Sequence, residues 1–376
     1  MSTLFESTSI KGLKLRNRLV RSATWEGMGD PDGRPTEKLA KYYTTLARGG
    51  VGLIISSYTA VRPEGRQLPG QLSIHTDDFA DDYRRLTRAV HSAGGAIILQ
   101  MVHTGGQTKA EHIGRRPLAP SAVKVSLFPS EPAELTHSDI RDIVTAFGQA
   151  AARAKAWGFD GVQMHGAHGY LINQFLSPLT NRRTDKYGGN PENRRRFLMQ
   201  VYREVRQAVG GDFPVMIKLN ADDFLEGGLN RDEALAAARE LDNGGIDAIE
   251  VSSGTGASGK NGPIRAKIDA PEKEGYNLDL ARGIQSAVGC PVMVVGGFRS
   301  YDVAEKAVCM DKMDYVALSR PLILEPALPN RWQRGDRGPA QCISCNKCFL
   351  PGMKEGGIYC VQERRKQRTQ QTQQTQ

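Results

Sequence analysis

Residues Asp160–Asn193 read DGVQMHGAHGYLINQFLSPLTNRRTDKYGGNPEN. The stretch opens as a short buried strand, Gly161–Met164, and turns into a loop carrying His165, His168 and Tyr170. A polar, Arg- and Gly-rich segment follows, too short of apolar residues to form a core of its own, and a helical pattern begins at Pro191. Two imidazoles and a phenol at the carboxyl end of a strand make a group able to donate hydrogen bonds and a proton. The plainer alternative is that one imidazole satisfies a buried backbone group while the tyrosine packs. Three such groups together favour the chemical reading.

Outward from this stretch, strand-length apolar runs alternate with helical patterns. The strands are Leu19–Ser22, Val51–Ser56, Ala96–Val102, Gly161–Met164, Val215–Leu219, Ala248–Val251, Val292–Val295 and Tyr315–Leu318, with amphipathic helices from Glu37–Arg48 to Tyr301–Val308 between them. Near-continuous apolar strands alternating with helices mean a parallel sheet covered on both faces. Eight such units close into an α/β TIM (β/α)8 barrel, with chemistry at the carboxyl ends of the strands. A doubly wound sheet fits less well, because it normally uses fewer strands and a Gly-rich first turn.

The 376-residue length suits such a barrel with insertions. No apolar run approaches the ~20 residues of a membrane span. The N-terminus lacks a signal-peptide apolar region, so a cytoplasmic location is expected. The net charge of +9 is unevenly placed: residues 331–376 hold nine Lys/Arg against three Asp/Glu, which leaves a surplus of three for the first 330 residues. That argues against a general nucleic-acid surface and for a local basic patch.

Gly254-Thr-Gly256-Ala-Ser-Gly259 imitates a dinucleotide fingerprint after a strand. Such a fingerprint must open a helix whose N-terminus holds the pyrophosphate. KNGPIRAKIDAPEKEG follows instead, with two prolines and no helical period, so a loop over the barrel mouth is expected.

The other strand ends carry a consistent set. Gly296-Gly297 and Ser319-Arg320 close strands 7 and 8, where barrels commonly bind phosphate. The glycines expose backbone N–H groups and Arg320 adds a planar donor fork. Gln100 and Lys218 can address the edge of a heterocycle. Lys218 inside a barrel mouth is an unpaired charge unless something anionic or electron-rich meets it. Jointly these residues describe a phosphate-bearing, flat, polar-edged cofactor such as FMN.

Six cysteines are present, and four form Cys342-x2-Cys345-x2-Cys348-x11-Cys360. Four thiolates so grouped read as a metal site. Spacing alone leaves tetrahedral zinc and a [4Fe–4S] cluster both open. The domain plan is then a barrel over residues 1–330, a four-cysteine extension over 331–363, and a basic, disordered tail over 364–376.

Leu4-Phe5, Leu15-Arg16-Asn17-Arg18, the run Leu99-Gln100-Met101-Val102-His103 and above all HGAHGYLINQFLSPLTNRRTDKYGG resemble the old yellow enzyme (NADH:flavin oxidoreductase) family. The resemblance covers roughly residues 3–330. It implies that His165 and His168 hold a substrate carbonyl oxygen and that Tyr170 gives a proton to the α-carbon. It places Gln100, Tyr58 and the backbone at Ala23-Thr24 against the isoalloxazine, and Lys218 where many relatives carry an Arg near flavin N1 and O2. With the cysteine pattern it points to the iron–sulfur branch of 2,4-dienoyl-CoA reductase and trimethylamine dehydrogenase, and so to a [4Fe–4S] cluster. Trp25 stands where some relatives have Cys or Thr, Thr104-Gly105-Gly106-Gln107 replaces a usual Gly-Arg, and Ser319-Arg320 replaces Gly-Arg. The absence of Cys before residue 290 argues against a covalently bound flavin.

The expected function is therefore FMN-dependent reduction of activated C=C bonds, with hydride from flavin N5 to the β-carbon. Electrons come from NAD(P)H or, through the cluster, from an acidic redox protein. The expected partners are a small α,β-unsaturated substrate, such a redox protein, and further copies of the chain. The alternatives are an amine or ether dehydrogenase or demethylase with non-covalent flavin, and an electron-transfer subunit of a larger complex.

Overall fold

Eight parallel strands close on themselves in a computed structural model that describes residues 3–124, 128 and 130–374. They are β1 (Leu19–Arg21), β2 (Leu53–Ile55), β3 (Ile97–Val102), β4 (Val162–Gly166), β5 (Val215–Asn220), β6 (Ala248–Ser252), β7 (Val292–Val295) and β8 (Tyr315–Leu318). Each pairs with the next in sequence, and β8 returns to β1 through Val316–Leu19, Ala317–Val20 and Leu318–Arg21. The result is the TIM barrel expected from the alternation. Around it stand α1 (Glu37–Arg48), α2 (Ala80–Ser92), α3 (His137–Ala156), α4 (Pro191–Val209), α5 (Arg231–Asn243), α6 (Leu278–Gln285) and α7 (Tyr301–Cys309). Two short helices, Pro321–Leu324 and Leu328–Gln333, follow β8. Among the described residues no helix is long and apolar enough to cross a membrane.

Strand side chains alternate between the barrel axis and the helices. In β5, Ile217 and Leu219 join the shell shared with the helices, while Met216 joins the interior. Lys218 and Asn220 therefore point inward. The same parity turns Gln100, Gln163, His165, Glu250 and Ser252 to the axis. Below them the interior is apolar, filled by Val20, Leu53, Ile98, Met216, Met293 and Tyr315. The N-terminal hairpin of Thr8–Ile10 and Leu13–Leu15 closes the bottom with Ile10 and Leu15. The barrel is thus oily at one end and polar at the other, and the polar end is where the carboxyl termini of the strands lie.

After Tyr170, the short helix Leu171–Leu176 buries Leu171, Ile172, Phe175 and Leu176 in the core, and the polar stretch beyond it is tied down by guanidinium forks. Arg183 Nη1 donates to Pro120 O (3.0 Å) and Leu135 O (2.7 Å), and its other nitrogens hold Asp185. Arg194 donates to Leu176 O and Gly189 O. Arg183→Ala strands two buried carbonyls, at about 1–3 kcal/mol each. Urea unfolding of this variant is expected to show a loss of at least about 2 kcal/mol; an unchanged midpoint would mean that water replaces the guanidinium.

Residues 364–376 depart from the disordered tail expected of them. Val361–Gln374 is a helix, and residues 375 and 376 lie outside the described residues. Gln, Arg, Lys and Glu are good helix formers, and Gln367 Nε2 reaches Glu363 one turn back. Low apolar content argues against a buried core, which this solvated helix does not need.

The cysteine segment docks on the polar end of the barrel. Ile358 N donates to Glu26 O (2.9 Å), Ala340 N to Arg299 O (2.8 Å) and Lys267 N to Ser344 O (3.2 Å). A Cβ on Gly352 would lie 2.8 Å from the Trp25 ring, so only glycine permits that approach.

Candidate active site

A cavity of about 450 Å³ opens at the carboxyl ends of the strands, within the range of small-molecule sites. Of the residues expected at the site, it brings together Ala23, Thr24, Tyr58, Gln100, His165, His168, Tyr170, Lys218, Gly297, Ser319 and Arg320. Gly296 sits one layer back, where a Cβ would lie 3.0 Å from Asn277 N. Gly297 has φ +76°, and a Cβ there would strike the Tyr276 ring at 2.9 Å. The loop that imitated a dinucleotide fingerprint contributes Gly256, Pro263 and Ile264 to the rim. Only a single 3-10 turn, Gly259–Asn261, follows its glycines, so it offers no helix N-terminus to a pyrophosphate.

The floor is a chain of buried polar groups. Gln100 Nε2 donates to Gln163 Oε1 (2.7 Å), and Gln163 Nε2 to Glu250 Oε2 (2.9 Å). Glu250 Oε1 accepts from Ser22 Oγ (2.6 Å) and lies 2.5 Å from Lys218 Nζ. The anionic group that Lys218 requires is thus the protein's own Glu250. Burial lowers the Lys218 pKa, and the adjacent Glu250 carboxylate raises it again. Removing one partner of such a buried pair typically costs about 3–5 kcal/mol.

The wall is made by the loop after β4. His168 is held at φ +62°, a left-handed conformation unusual for a side-chain-bearing residue. Gln107 Nε2 donates to its carbonyl (2.8 Å), and its Nε2 bonds Ser252 Oγ (2.7 Å). His165 Nδ1 accepts from Ala167 N (3.3 Å), which leaves the ring proton on Nε2. Its ring lies 5.1 Å from that of His168 and 4.7 Å, edge-on, from that of Tyr170. Tyr170 stacks on Tyr58 at 5.6 Å, and Gln67 Oε1 accepts from both phenols at 3.0 Å.

Burial pushes the His168 pKa down to about 3, helped by the Lys218 charge, and holds His165 well below its ordinary value. Burial raises Tyr170 to about 12, against the opposing effect of Tyr58 and Gln67. His168 and Tyr170 therefore keep one protonation state each between about 3 and about 12. Reaction of the reduced protein with substrate, followed by stopped flow, is expected to be flat through neutral pH. A limb near the ordinary imidazole pKa of about 6.5 would contradict this. Unfolded imidazoles take up protons below that value while folded ones do not, so stability falls as pH drops from about 6.5 towards 3.

All four cysteines of the spaced set, Cys342, Cys345, Cys348 and Cys360, line one further cavity of about 310 Å³. Among the described residues no three His, Cys, Asp or Glu side chains stand close enough to share a single metal ion. Arg320 lines both cavities, and its Nη1 donates to Arg265 O (2.7 Å) and to Asn346 Oδ1. Phe349 and Met353 of the cysteine segment reach into the larger cavity. Neither they nor Gln67 were marked by any periodic signal in the sequence. Glu250 and Gln163 were: each is a polar residue inside an otherwise apolar strand.

A TIM barrel with a cavity at the carboxyl ends of its strands is an arrangement on which many different enzymes build their active sites. The chain belongs to the NADH:flavin oxidoreductase / NADH oxidase family, whose model matches residues 3–337. It is 39% identical over 346 residues to the NADH oxidase of Thermoanaerobacter brockii, covering 91% of this chain and 52% of that protein. The chain thus spans about half the length of that relative. It is 36% identical over 327 residues to the NADPH dehydrogenase of Clostridium acetobutylicum, covering 86% and 92% respectively. A solved 2-naphthoyl-CoA reductase complex superposes with a TM-score of 0.87 at 28% identity, covering 95% of this chain and 56% of that one.

Proposed function

We propose that the protein is an FMN-dependent reductase of activated C=C bonds, an enone or enoate reductase. The observation that carries this reading is the set of uncharged donors, His165, His168 and Tyr170, on one wall of the cavity above the polar floor. The residues fit FMN. Gln100 and Lys218 would meet the ring edge, Ala23, Thr24 and Tyr58 its flank, and Gly296, Gly297, Ser319 and Arg320 the phosphate. When bound, FMN supplies hydride, taken from NAD(P)H.

His165 Nε2–H and the free ring nitrogen of His168 would hold the carbonyl oxygen of the substrate. They would stabilise the negative charge that develops there, as preorganised donors do at an oxyanion. Tyr170 would deliver a proton to the α-carbon. Gln67 Oε1 accepts from its hydroxyl and Tyr58 stacks on its ring, which holds the phenol in place. An electron relay needs none of these groups, which argues against that alternative. The test is anaerobic turnover: cyclohexenone should accelerate NAD(P)H oxidation and yield cyclohexanone. If simple amines reduce the protein and cyclohexenone is inert, the oxidative alternative replaces this reading.

Cys342, Cys345, Cys348 and Cys360 lining one cavity support a metal centre, and the resemblance to the iron–sulfur branch favours a [4Fe–4S] cluster over zinc there. Thiols spaced around a void suit a polynuclear cluster. The nine Lys/Arg against three Asp/Glu in residues 331–376 favour an acidic redox protein as a second electron source. Cys345→Ser is expected to lose iron and sulfide by chemical analysis while retaining FMN, and to lose reduction by a ferredoxin. Zinc in the native protein, or unchanged iron in the variant, would remove the cluster from this reading.

A further inference from the structure

Lys218 and Gln100 lie on different strands, yet one carboxylate ties them together. Glu250 Oε1 lies 2.5 Å from Lys218 Nζ and accepts from Ser22 Oγ (2.6 Å), which itself accepts from Lys218 Nζ (2.9 Å). Glu250 Oε2 accepts from Gln163 Nε2, and Gln163 Oε1 from Gln100 Nε2. The arrangement is fixed by strand register, since Lys218 pairs directly with Glu250 and Gln100 with Gln163. The Glu250 side chain is 0% exposed and that of Lys218 2%, so bulk water screens neither charge.

We propose that Glu250 is a positioning residue of the flavin-edge site, one that fixes Lys218 and Gln100 and moderates how strongly the site favours reduced over oxidised FMN. The proposal rests on the FMN reading above. Reduced flavin carries a negative charge at its N1 and O2 edge that oxidised flavin lacks. A lone buried ammonium there favours the reduced form strongly. With Glu250 beside it the pair is formally neutral, and the preference is held back. The carboxylate also aims the ammonium, which would otherwise be free to swing on its four-carbon stem.

Substituting Glu250→Gln keeps the shape and the hydrogen bonds to Ser22 and Gln163 within reach but removes the charge. The ratio of reduced to oxidised FMN affinity is expected to rise at least about tenfold, which is ~30 mV upward in midpoint potential for a two-electron couple. The measurement is an anaerobic dye-equilibrated titration of the FMN-loaded protein, with oxidised FMN affinity read from quenching of flavin fluorescence. Lys218→Met is expected to lower the potential. The double variant, Lys218→Met with Glu250→Gln, is expected to lie close to the native value, and it leaves no unpaired buried charge to threaten folding. A Glu250→Gln potential equal to or below the native one would overturn the proposal. So would a double variant as low as Lys218→Met alone, because Glu250 would then have offset nothing. A native protein that takes up no FMN would overturn the cofactor reading itself, whereas bound FMN with an unmoved potential would overturn only the role of Glu250.

Discussion

Tyr170→Phe is expected to slow enone reduction by ~10²–10⁴-fold, the range for loss of a positioned general acid. The phenol hydroxyl is the only atom removed. The stack on Tyr58 and the edge contact with His165 involve the ring, which Phe keeps. Binding should therefore change little, and reduction of the flavin by NAD(P)H should be nearly unaffected. Rapid-reaction traces separate the two half-reactions: the loss belongs in reoxidation by the enone. If the variant is slow to become reduced but normal in reoxidation, Tyr170 acts on the donor and not on the α-carbon.

The second large effect concerns the imidazoles. Replacing His165 and His168 together with Ala is expected to cost ~10³-fold or more, because one preorganised oxyanion donor alone is typically worth ~10²–10³-fold. The cost should appear in both affinity and rate, since the carbonyl is held in the ground state and more tightly in the transition state. The His168→Ala variant also frees Ser252 Oγ but keeps a Cβ at φ +62°, so it relieves no backbone strain. Unimpaired turnover in the double variant would leave the neutral-donor wall without a role.

Much of this was legible in the chain. Their places at strand ends brought Lys218 and Gln100 to the barrel mouth, and once the fold is known the parity rule turns both to the axis. The loop after β4 stood out as three chemically able side chains in six residues. What escaped was the partnering. Glu250 lies 32 residues after Lys218, and only the register of two neighbouring strands brings them into contact. Lys218 called for an anionic or electron-rich partner, but nothing within its own strand says that the partner is Glu250. Gln67 escaped for a different reason: it sits in an irregular loop after β2, where no period constrains where a side chain points. The C-terminal helix escaped because composition argues about burial, whereas helix formation by Gln, Arg and Glu does not require any.

The role of Arg183 and Arg194 adds a qualification to how the most specific stretch should be understood. Its first third holds His165, His168 and Tyr170. The remainder, NRRTDKYGG, is scaffold: Asn181 and Arg183 donate to backbone carbonyls. A motif can therefore be shared among relatives for two physical reasons at once, and the polar half says nothing about substrate.

The most direct measurement is an anaerobic titration of the fully reduced, FMN-loaded protein with cyclohexenone, followed by the flavin visible spectrum. Oxidised flavin should return in proportion to added enone, with one cyclohexanone formed per flavin reoxidised. Reduced flavin that persists under excess enone and recovers only on admitting air would contradict the assignment of His165, His168 and Tyr170 to C=C reduction.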